Sequence, residues 1–116
     1  MPEFALRAAV QSRPSDRLGA VVHFAMTLAM LPGGDFVAAG ILDLERGVES
    51  EAALLVSIGA PRLTRLGMVI SNPSPNPEHR LYARLAETDR PSAHSRYNAL
   101  IRRLVSFERA AECVRP

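Results

Sequence analysis

At 116 residues, with 47% apolar and 22% charged side chains, the chain has the size and composition of one globular domain and not of a disordered protein. The single cysteine, Cys113, excludes an intramolecular disulfide framework and a cysteine-based metal cluster, which suits a reducing, cytoplasmic setting. A net charge of +2 is too small to demand an anionic partner.

Residues 1–15 mix charges with two prolines and carry no secretory pattern, so they are expected to be a poorly ordered lead-in to one helical domain over residues 1–116. Asp16 is a plausible N-cap for a first helix over residues 17–31, which the Pro32-Gly33-Gly34 turn stops. Its apolar run, residues 18–31, spans about fourteen residues where a membrane helix needs roughly twenty, so no membrane span is expected. Leu18, Val21, Val22, Ala25, Met26, Leu28 and Ala29 form one apolar face of this helix. A second stripe of Ala20, Phe24, Thr27 and Leu31, with His23 and Met30 beside it, exceeds what one buried face requires. Such a helix either sits at the centre of the core or offers its second face to a partner. On the second reading Ala20, Phe24, Thr27, Met30 and Leu31 are the candidate partner-binding residues.

Residues 36–45 form a second element capped by Asp35 and ended by Gly47. Residues 35–51 are acidic by four charges, whereas the chain from Ala52 onward is basic by five. Ser50 caps a third helix over residues 51–58, with Gly59 as its terminator and Pro61 early in the next segment, residues 62–70, which reads as helix or strand. Gly59 at a turn, followed by Arg62, Thr64 and Arg65, has the outline of a helix-turn-helix whose side chains would reach nucleic acid. A strand over residues 63–71 followed by two helices would instead suit a ribbon-helix-helix protein.

Residues 72–77 alternate prolines and form a rigid connector. A short helix follows over residues 78–87, then a turn over residues 88–92, then a last helix from about 93 to 113. On that helix Tyr97, Leu100, Ile101, Leu104, Val105, Phe107 and Ala111 share one face, opposite Asn98, Arg102, Ser106 and Arg109. The expected fold is therefore all-α, a bundle of about four to five helices with at most one short strand.

No catalytic, metal-binding or cofactor-binding pattern emerges. The three histidines lack a second ligand at helical spacing, and Gly33-Gly34 follows a helix and lacks the lysine of a phosphate loop. Cys113 has no histidine near it in sequence, and the Asp43/Glu45 and Glu49/Glu51 pairs read as a solvated acidic surface. The chain is accordingly expected not to be an enzyme but a small regulatory protein that binds another protein. A homodimer is expected, and a small DNA-binding repressor or plasmid-partition-type protein is the alternative.

The segments Asp16-Arg-Leu-Gly-Ala-Val-Val-His-Phe-Ala-Met26 and Tyr97-Asn-Ala-Leu-Ile-Arg-Arg-Leu-Val-Ser-Phe-Glu-Arg109 resemble the QslA-type quorum-sensing anti-activators. That resemblance covers about a fifth of the chain and includes no defining motif. It implies a small helical protein that binds a LuxR-type transcription regulator, LasR-like, and blocks its dimerisation or DNA binding.

Overall fold

The computed structural model describes residues 26–114, and these fold as an all-α globule with no strand. The Asp16 cap, the lead-in over residues 1–15 and most of the expected first helix lie outside the described residues. Residues 26–30 are helical and are followed by the Pro32-Gly33 turn. Four further helices follow: α1 (Gly34–Glu45), α2 (Glu51–Arg65), α3 (Pro77–Thr88) and α4 (Ala93–Val114), with a 3-10 turn at Arg90–Ser92 leading into α4.

The second element is a helix that starts two residues before its expected first residue. Its cap is Gly33 in the left-handed region, and Asp35 sits in the first turn instead, where a carboxylate favours the positive end of the helix dipole. Val37, Gly40, Ile41 and Leu44 recur every three or four residues and form its buried stripe.

Ser50 caps α2 as expected, its Oγ accepting from the Ala53 N–H at 3.0 Å while donating to Asp43 at 2.7 Å. The expected break at Gly59 does not occur. The helix runs on through Gly59 and Pro61 to Arg65, and the glycine that ends it is Gly67. Gly67 N–H donates to Thr64 O and Met68 N–H to Leu63 O, and the same paired bonds close α1 around Gly47. Both glycines have positive φ, which side-chain-bearing residues adopt at a cost. Residues 66–70 are turn and irregular chain, so the strand alternative of a ribbon-helix-helix has no counterpart.

The continuity of α2 follows from its burial. Ala52, Ala53, Leu54, Leu55, Val56 and Ser57 are six consecutive buried residues, so no side of this stretch faces solvent. The helix packs against α1, α3 and α4 and is the centre of the bundle. Proline at 61 removes one intrahelical donor, but Ala60 and Leu63 on either side are buried, and their packing holds the chain in register.

The proline connector is tied down at Ser57, whose Oγ donates to Ala53 O at 2.8 Å and accepts from the Ser74 N–H at 2.9 Å. Pro77 opens α3 at its first position, where no backbone donor is needed. Leu81 and Leu85 face the core, and Tyr82 packs beside Tyr97 of α4 with ring centroids 5.8 Å apart. On α4, Leu104, Phe107 and Ala111 are buried, and Asn98, Arg102, Ser106 and Arg109 are exposed. The amphipathic pattern thus had the correct phase here.

Candidate functional site

Ala20 and Phe24 of the second apolar stripe lie outside the described residues. Leu31 is half-buried and packs against the core, and Thr27 is half-buried. Met30 behaves differently, with 84% of its surface exposed, and Met26, one helical turn earlier, is 61% exposed. The expected assignment of faces is therefore corrected in part. Leu28 is buried as anticipated, but Met26 and Ala29, placed on the same core-facing side, are exposed. A segment apolar around its whole circumference gives a helical wheel no phase, so only the tertiary contacts decide which residues remain outside. The i, i+4 spacing of the two methionines was the available signal, since it places them on one side whichever way the helix turns.

Arg62, Thr64 and Arg65 do not form the start of a recognition helix. They occupy the last turn of the continuous α2, where no turn precedes them, and Arg62 is occupied by two carboxylates. Its guanidinium lies 3.6 Å from Glu108 and 3.0 Å from Glu112, both on α4. The helix-turn-helix geometry anticipated around Gly59 is absent because that glycine lies inside a helix, and a β-carbon there would stand 3.0 Å from Leu104 and 3.1 Å from Glu108. Gly59 admits the two α4 side chains against α2.

Glu108 is the buried charged residue that the sequence reading passed over, although it falls four residues after Leu104 on the inward stripe. Burial raises its pKa above the ordinary carboxyl range, against the opposing pull of Arg62 and Arg65. A carboxyl whose folded value is raised stabilises the fold fully below its unfolded value, and that contribution is lost as pH rises through the folded value. Glu108→Gln should therefore be at least as stable as the parent at pH 7, with the difference shrinking as pH falls towards the ordinary glutamate range. Urea midpoints of both proteins across that range test this, and a pH-independent difference would refute it.

The charge asymmetry read from the sequence is largely used inside the fold. Asp35, Glu49 and Glu51 from the acidic segment pair with Arg103, Arg80 and Arg96 from the basic half. Arg103 also lies over the Phe36 ring at 4.9 Å from its centroid. Residues 26–114 hold ten arginines against ten acids, so this part of the chain is formally neutral.

Among the described residues no group of three or more histidines, cysteines or acids could hold a metal, and no helix is long and apolar enough to cross a membrane. The fold and surface together define a helical bundle whose distinguishing exposed feature is apolar. No family model matches the chain, and neither a curated protein nor a solved structure matches it.

Proposed function

We propose that the protein is a small regulatory module that acts by binding another protein, with Met26 and Met30 as its apolar anchors. The observation that carries this reading is the exposure of two methionines one turn apart, Met30 being the most exposed large apolar side chain described. Methionine is unbranched and polarizable, which suits a surface that must fit a partner's irregular apolar groove. Burying such a pair removes apolar area from water, the main driving force of association. Leu31 supports the site from beneath by fixing the end of the helix to the core, and Thr27 lies on the same turn.

In its finer form, which rests on the resemblance to anti-activators, the partner is a LuxR-type transcription regulator held away from DNA. A photo-crosslinking residue at position 30 of the full chain should capture one defined protein in the native cell. A crosslinker at exposed Ala99 should not. With the crosslinker kept at position 30, Met26→Glu should abolish the adduct while changing stability by less than about 0.5 kcal/mol, since Met26 is solvent-facing. Equal labelling from positions 30 and 99 would remove the methionines from consideration. Adding purified LuxR-type regulator and measuring its operator binding tests the finer reading separately.

A further inference from the structure

The outer face of α1 is apolar between two opposite charges. Asp35, Ala39, Leu42 and Arg46 are all exposed, and their 4-3-4 spacing aligns them along one narrow seam of the helix and its cap, with exposed Ala38 beside it. Leu42 retains 43% of its surface, although the opposite side of the same helix is fully buried against α2. Asp35 is paired with Arg103 at 3.4 Å yet remains 81% exposed, and Arg46 forms no ion pair with the described residues.

We propose that this seam is the contact of a symmetric dimer in which α1 packs antiparallel to α1 of a second copy. The reason is charge complementarity. About a twofold axis at the middle of the seam, Asp35 of each copy meets Arg46 of the other, and each Ala39 meets the other Leu42. A parallel arrangement would oppose Asp35 to Asp35 and Arg46 to Arg46, which like-charge repulsion disfavours. Antiparallel alignment also sets opposite helix dipoles side by side. Ala38 and Ala39 carry only a methyl group, so the two helices can approach to the lower end of the usual interaxial range of about 8 to 10 Å. A single twelve-residue helix gives an interface smaller than that of stable dimers, so the association is weak and concentration-dependent. The inference involves a different surface from Met26 and Met30, and its failure leaves the proposed function standing.

Charge reversal tests it with the full-length chain. Sedimentation velocity from about 1 to about 500 micromolar should show a monomer–dimer equilibrium for the parent protein. Arg46→Glu should weaken self-association about tenfold or more, because both symmetric ion pairs become repulsive, and Asp35→Arg should do the same. An equimolar mixture of the two single variants should dimerise again, since every contact across the seam is then between opposite charges. Both substitutions are at exposed positions, and circular dichroism checks that each variant stays helical. A parent that remains monomeric, a dimer indifferent to Arg46→Glu, or folded variants whose mixture fails to dimerise would each overturn the proposal. The first points to a heterologous partner for the seam, and the second to a dimer through another face.

Discussion

Gly40→Ala is expected to destabilise the protein by about 3 kcal/mol, against the direction that helix propensity alone predicts. Alanine in a helix interior is favoured over glycine by about 1 kcal/mol, so an open site would gain stability. At Gly40 a β-carbon would lie 2.3 Å from the Ala52 carbonyl oxygen, 2.7 Å from its carbon and 2.5 Å from a Val56 methyl. Two of those three atoms are backbone and cannot rotate away. The α1 and α2 axes would have to separate along the most extensive helix contact of the described fold, loosening Val37, Ile41 and Leu44 together. Gly59→Ala provides the internal control. Its nearest neighbours are the ends of the Leu104 and Glu108 side chains at 3.0 to 3.1 Å, which can shift by small rotamer changes. Its effect should therefore stay within about 1 kcal/mol of neutral, where propensity and crowding offset each other. Chemical denaturation of the two variants checks the contrast, and equal effects would show that the α1–α2 contact is not the tight one.

Phe107→Ala is expected to cost about 3 to 5 kcal/mol, a large fraction of the 5 to 15 kcal/mol that holds a typical domain together. Phe107 is the largest fully buried side chain described, at 1% exposure. It also lies beside Gly33, where a β-carbon would approach its own to 3.5 Å, so it packs where the turn before α1 meets α4. Truncation removes the transfer energy of the ring and leaves a cavity between segments far apart in sequence, which limits how far the structure can relax into it. Arg102→Ala, on the exposed face of the same helix, should change stability by less than about 0.5 kcal/mol. A thermal or urea titration that found the two substitutions equivalent would contradict the placement of α4.

These expectations also separate what the chain declares locally from what it does not. Two boundaries were legible because each is a short-range hydrogen-bonding preference: Ser50 before α2 and Gly47 after α1. The inward face of α4 was legible because Leu104, Phe107 and Ala111 recur on one side, opposite Asn98, Arg102, Ser106 and Arg109. The all-α class followed from the same two signals.

Three features were decided by tertiary structure. Gly59 and Pro61 have the local chemistry of a helix end, but burial on every side of α2 outweighs one missing hydrogen bond, and the true end falls eight residues beyond Gly59 at Gly67. The exposed methionines were hidden in a segment whose apolar residues surround the helix, so periodicity assigned no outside. Glu108 looked like one acid among several until α2 presented Gly59 opposite it, and its raised pKa arises only from that enclosure. The sequence alone determined the elements whose cause lies within a few residues. Which faces are buried, which charges pair and what remains on the surface depend on contacts between distant segments, and those exist only once the helices have packed.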